Sequence, residues 1–200
     1  MFSFLKFPDN KIYVGTGGLK NAKLIVENLK PHIDGLVYIY EPNLPNGKEF
    51  TWDFNGTLQN IQEFTSLCHE HNLIAIAKIS GRPILQRNLQ KYGWDYGKLV
   101  QNTDKLLVQT QTYLSKQNIE VYENGIDKLL AQFQLNNVPE NPLFIQVAIG
   151  ESLPNGVSSA KALDAITVVK SRHLEGLMIW WTPSEKEEFM KFIQNINKMI

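Results

Sequence analysis

Two carboxylates, a lysine, three glutamines and a group of aromatics are the side chains whose type and placement could do chemistry in this 200-residue chain. Glu41 opens a polar loop (EPNLPNG) and Glu151 follows an apolar run (LFIQVAIG), each just past a β-like segment. Glycoside hydrolysis uses two carboxyl groups, roughly 5 Å apart for retention and roughly 6.5–9.5 Å apart for inversion. Glu151 suits the general acid and Glu41 the base or nucleophile; a loop opener and a helix cap are the plainer roles for the same two residues. Lys78 sits inside LIAIAKIS, and a lysine in such a run is seldom without a partner. In a dry lumen its amine would be depressed toward neutrality and could form a Schiff base, whereas at a barrel mouth it would snorkel or join a salt bridge. Gln109, Gln111 and Gln146 are amides that either orient a ligand's hydroxyl groups or ladder with one another. Tyr40, Trp180 and Trp181, with Tyr38 and Trp52 as neighbours, offer flat faces on which a sugar ring can stack.

Other signals are weaker. Gly15-Thr16-Gly17-Gly18 before a helix could cradle a phosphate with its backbone N–H groups, but it lacks the lysine of a P-loop and the third glycine of a dinucleotide fingerprint, so it also reads as a tight turn. His69 and His71 suit the negative end of a helix, and His32 and His173 precede strands. Asn55-Gly56-Thr57 matches a glycosylation acceptor, which matters only in a secreted protein. Cys68 falls on an apolar helix face and reads as core. No Cys/His spacing resembles a metal site, so neither metal nor cofactor is expected.

The elements that must position these groups alternate between short β-rich runs and longer helix-period segments. Six runs read as strands: Lys11–Gly15, Gly35–Tyr40, Leu73–Ile79, Lys105–Gln111, Leu143–Ile149 and Leu177–Trp181. The helices that follow are Leu19–Leu29, Leu58–His71, Ile84–Val100 interrupted at Gly93, Ile119–Phe133, Ser159–Lys170 and Ser184–Met199. Asn55-Gly56-Thr57 reads as the lead-in to the second, and Thr182 as the cap of the last.

Strands apolar on both faces and joined by long crossovers belong to a parallel sheet covered by helices, so the class is α/β. A doubly wound sheet and a (β/α) barrel both accept six units, and a full barrel usually needs about 250 residues. Polar side chains at alternate positions within the strands favour a compact or incomplete TIM-like barrel. Ile76, Lys78 and Ser80 share one face, as do Leu107, Gln109 and Gln111, and Phe144, Gln146 and Ala148. Amides turned toward a helix layer would each forfeit hydrogen bonds worth about 1–3 kcal/mol, whereas in a lumen they satisfy one another. Ligands in such folds bind at the carboxyl ends of the strands, where these candidates fall.

Twenty basic against 20 acidic side chains give no excess of positive charge for a phosphate backbone, which argues against general nucleic-acid binding. A single cysteine excludes an internal disulfide. No apolar run is long enough for a membrane span, and Met1–Asn10 carries neither a long apolar core nor a cleavage site, so a cytoplasmic protein with one domain over residues 1–200 is expected.

Three segments of the C-terminal half, DKLLVQTQTY, PLFIQVAIGESLPNG and EGLMIWW, resemble the last strands of glycoside hydrolase barrels of the family 18 chitinase type. Those barrels end in a similar Gly-x-Met-x-Trp strand whose tryptophan floors the sugar site, a role the resemblance carries to Trp180 or Trp181. The family's acidic signature, D-x-x-D-x-D-x-E on one strand, is missing, so the acid role has no matching residue. The resemblance implies a carbohydrate-active barrel with a sugar or other small-molecule ligand. The leading expectation is a glycoside hydrolase acting through rim carboxylates; the residues themselves leave two alternatives, a Schiff-base lyase or aldolase using Lys78 and a non-catalytic ligand-binding or scaffold barrel.

Overall fold

The computed structural model describes residues 4–6, 11–40, 53–81, 93–138, 142–150, 152–153 and 155–197. Its strands are β1 (Phe4–Lys6), β2 (Ile12–Thr16), β3 (Gly35–Ile39), β4 (Ile74–Ser80), β5 (Lys105–Gln109), β6 (Leu143–Ala148) and β7 (Gly176–Trp180). They hydrogen-bond in sequence order in one sheet. β1 runs antiparallel along the edge of β2, and each later pair is parallel. The six parallel strands curl into a half-barrel, the incomplete TIM-like architecture expected from the alternation.

Helices α1 (Leu19–Leu29), α2 (Phe54–Glu70), α3 (Tyr96–Val100), α4 (Gln111–Lys116), α5 (Ile119–Leu135), α6 (Ser159–Ser171) and α7 (Lys186–Asn197) join them. α2 starts four residues before the expected Leu58. Asp53 accepts the Gly56 N–H at 2.7 Å, so Asn55-Gly56-Thr57 forms the first turn instead of preceding it. Phe54, Thr57, Ile61, Phe64, Thr65 and Cys68 then make one buried face. Asn118 and Ser158 cap α5 and α6 through the amides of Val121 and Lys161. After α2, α5 and α6 the chain reverses through left-handed residues, Asn72, Asn137 and His173, which close the last turns.

Other boundaries also move. The helix expected over Ile84–Val100 is present as Tyr96–Val100 after left-handed Gly93; residues 82–92 lie outside the described set. The fourth predicted strand ends at Gln109, because the Thr110 carbonyl turns to accept the amides of Tyr113 and Leu114, both at 3.0 Å. Gln111 therefore begins α4 and does not continue the strand face of Leu107 and Gln109. The last helix is preceded by a 3-10 turn, Pro183–Glu185, and Thr182 makes no side-chain cap to a backbone amide there.

Side chains divide by strand parity. The outer face packs Val14, Leu36, Tyr38, Leu106, Val108, Ile145 and Val147 against the helices, with Tyr38 stacked on Phe64 at 4.9 Å. The inner face carries Tyr13, Val37, Ile76, Leu107 and Phe144, bordered by Ile39, Ile74 and Met178. Gly35 keeps this layer closed: a Cβ there would lie 2.4 Å from the Ile74 carbonyl oxygen and 2.9 Å from the Tyr13 ring. The Lys105 ammonium pairs with Glu175 and lies 5.4 Å from the centre of the Phe144 ring, at the amino end of the strands. Among the described residues no helix is long and apolar enough to cross a membrane.

Candidate ligand-binding site

The register builds the inner face row by row. Ile39, Lys78, Leu107, Phe144 and Gly176 pair across β3 to β7, and the next row toward the carboxyl ends is Ser80, Gln109, Gln146 and Met178. Beyond it Ala148 pairs with Trp180. Parallel neighbours in register present their side chains to the same face, with strands about 4.8 Å apart, so the upper row spans about 14 Å of sheet. Lys78, Gln109, Gln146 and Trp180 thus share one concave surface at the end where barrel ligands bind.

Its polar groups are set into an apolar bed. Lys78 is 9% exposed, between Ile39 and Leu107. Gln146 is 2% exposed, and its side-chain oxygen, Oε1, is buried and accepts no hydrogen bond from any described residue. Its backbone is pinned, since the Gln146 carbonyl accepts both the N–H and the hydroxyl of Thr110 at 2.9 Å. With that hydroxyl proton committed, the fully buried Tyr122 hydroxyl donates to Thr110 Oγ1 across 2.8 Å. Burial pushes the Tyr122 phenol well above its ordinary range, with the Thr110 contact opposing the shift. Gln111, one residue past Thr110, is a second amide whose Oε1 is buried without a described donor.

The remaining candidates fall elsewhere. Tyr40 is fully buried in the outer core, its hydroxyl 2.8 Å from Thr57 Oγ1. Trp181, adjacent to Trp180 and of opposite parity, stacks on Phe189 of α7 with centroids 4.5 Å apart and an interplanar angle of 2°. Trp180 is the one of the two that shares the amide face, and it is 39% exposed. Glu41 and Glu151 lie outside the described residues. No described inner-face strand position is a carboxylate. Asp104 is engaged at the amino end, accepting the Ala75 N–H at 2.7 Å and facing His69 Nε2 at 3.1 Å.

One carboxylate near the rim was read in sequence only as part of a helix start. Glu185 accepts the Ser152 hydroxyl and lies over Gly150, where a Cβ would sit 2.5 Å from Glu185 Oε2. In sequence the signal of a close approach was a glycine, Gly150, which lies two residues past β6 and has a positive φ in the structure. Gly15, Thr16 and Gly17 line a groove of about 650 Å³ with Asn21, Leu24 and Asn28 of α1; the two asparagine amides donate to carbonyls of their own turn. Cys68 is buried, and burial with nearby Asp104 pushes its thiol up to about 12, which fits a core residue. The described residues contain no group of three His, Cys, Asp or Glu side chains that could hold a metal ion.

No known family model and no curated protein matches the sequence. Solved structures do match in fold. A chitinase from Chromobacterium violaceum aligns with a TM-score of 0.58 at 11% identity, over 86% of this chain and 69% of its own. A Group IV chitinase from Ostrinia furnacalis aligns with a TM-score of 0.57 at 13% identity, over 87% and 74%. The glycoside hydrolase domain of PgaB from Bordetella bronchiseptica aligns with a TM-score of 0.53 at 10% identity, over 81% and 57%. The fold is similar to that of these chitinase and glycoside hydrolase barrels, in an incomplete form.

Proposed function

We propose that the concave face binds a carbohydrate, with Gln109 and Gln146 orienting hydroxyl groups and Trp180 stacking on a ring. The observation that carries this reading is the convergence of Lys78, Gln109, Gln146 and the half-exposed Trp180 on one face at the carboxyl ends of the strands. Hydroxyl-binding amides beside an aromatic face are what a sugar requires. The fold likeness to a chitinase and to other glycoside hydrolases supports the same ligand class. Cleavage would fall to the rim carboxylates, Glu151 as acid and Glu41 as base or nucleophile, because the described inner face offers amides instead of acids.

The test combines calorimetric titration of β-linked oligosaccharides with turnover of an aryl glycoside. Binding by the wild type and its loss in Trp180→Ala are expected. Turnover abolished by Glu151→Gln marks a hydrolase, and binding without turnover marks a binding module. Failure to bind any oligosaccharide at millimolar concentration overturns the reading.

A further inference from the structure

A buried carbonyl oxygen with no donor destabilises a fold, and proteins retain few of them. Gln146 Oε1 is such an atom, on a side chain 98% removed from solvent by its 2% exposure. Two hydrogen bonds from Thr110 fix the Gln146 backbone, and Gln109 and Met178 flank it in its row. The side-chain oxygen of this anchored residue is turned into the fold, where no described donor meets it. Leucine or methionine would occupy similar space without an orphaned acceptor, so the fold itself does not call for glutamine. Its row lies one step below the Ala148–Trp180 pair, so a ring stacked on Trp180 would sit above the amide, on the carboxyl side of the strands.

We infer that Gln146 is a specificity-determining residue that accepts a hydrogen bond from one ligand hydroxyl. The inference rests on the carbohydrate reading above and narrows it. An acceptor that no protein donor reaches discriminates between a ligand that brings a donor and an analogue lacking it, because the analogue leaves the acceptor orphaned in the complex.

The experiment titrates wild type, Gln146→Leu and Gln146→Glu with β-linked trisaccharides of glucose and of N-acetylglucosamine and with their monodeoxy analogues, and records a melting curve for each protein. The wild type should bind one parent roughly tenfold to a hundredfold more tightly than the analogue missing the read hydroxyl. Gln146→Leu should bring the parent down to the analogue's affinity while raising the melting temperature. Gln146→Glu, which keeps an acceptor, should retain the discrimination. A Gln146→Leu protein that melts lower with affinity and discrimination unchanged makes Gln146 structural and overturns the inference. Parent binding lost in Trp180→Ala but untouched by Gln146→Leu overturns the inference alone, whereas a wild type that binds no trisaccharide overturns it together with the carbohydrate reading.

Discussion

Thr110 does more for the inner face than its neighbours in sequence suggest. Its N–H and hydroxyl hold the Gln146 carbonyl, and its oxygen receives the buried Tyr122 hydroxyl, so one side chain ties the end of β5 to β6 and to α5. Thr110→Val keeps the shape but strands the Tyr122 hydroxyl in a dry core, at a cost of about 1–3 kcal/mol in unfolding free energy. Thr110→Val with Tyr122→Phe should recover much of that, since removing both partners is far milder than orphaning one; denaturant titration of the singles and the double measures the coupling, and purely additive losses would refute it. The faces of Lys78, Gln109 and Gln146 were legible in the sequence because a polar residue in an otherwise apolar strand declares its face through the period of two, whereas Gln111 lies past the strand's end. Tyr40 was not, because Val37, Tyr38, Ile39 and Tyr40 are all apolar enough to face either layer, and parity alone leaves the choice open. Trp180 and Trp181 are adjacent, so only one could share the amide face, and the stacking of Trp181 on Phe189 decides which.

Among the elements, some helix bounds were readable to the residue, with a side-chain cap at α5 and α6 and the apolar period alone at α1. α1 spans Leu19–Leu29 as expected, and α5 and α6 start at Ile119 and Ser159. The misreadings were at ends where a second signal competed. At α2 a glycine-containing turn hid the true cap at Asp53, and at β5 an apolar alternation continued past the point where Thr110 turns the chain. One cap is supplied by another helix and could not be seen locally. Glu188 of α7 accepts the Ser159 N–H at the start of α6 at 3.0 Å, while Lys191 donates to its other oxygen at 2.7 Å. The Lys191 contact first, and the Ser159 amide second, lower the Glu188 carboxyl from an ordinary 4.5 to about 2. A carboxyl depressed in the folded state contributes stability that is complete above its unfolded value and lost as pH falls toward the folded one. Glu188→Gln should therefore cost about 0.5–1 kcal/mol near neutral pH, the worth of an anion at a helix start. The deficit should shrink between pH 4.5 and 2, and a deficit that stays constant across that range in chemical denaturation would show that charge is not involved.

At the scale of the molecule, six parallel strands curl without closing, which leaves two sheet edges with different fates. β1 lies antiparallel along β2 for three residues and covers Ile12 to Val14. β7 pairs only with β6 among the described residues, and none of its residues is fully buried, whereas β6 is buried throughout. An edge strand of a parallel sheet has half its amides turned away from its neighbour, and its remaining hydrogen bonds open without disturbing the rest of the core. β4 and β5 are flanked on both sides by strands and covered on the outer face by the helices. Native-state hydrogen exchange should then be graded across the sheet: β4 and β5 amides should exchange only through global unfolding, and those of β7 orders of magnitude faster through local opening. Protection of β7 equal to that of β5 would contradict an open edge. If that protection rose with protein concentration, the cover would be a second copy of the chain, and if it did not, the cover would be the chain itself.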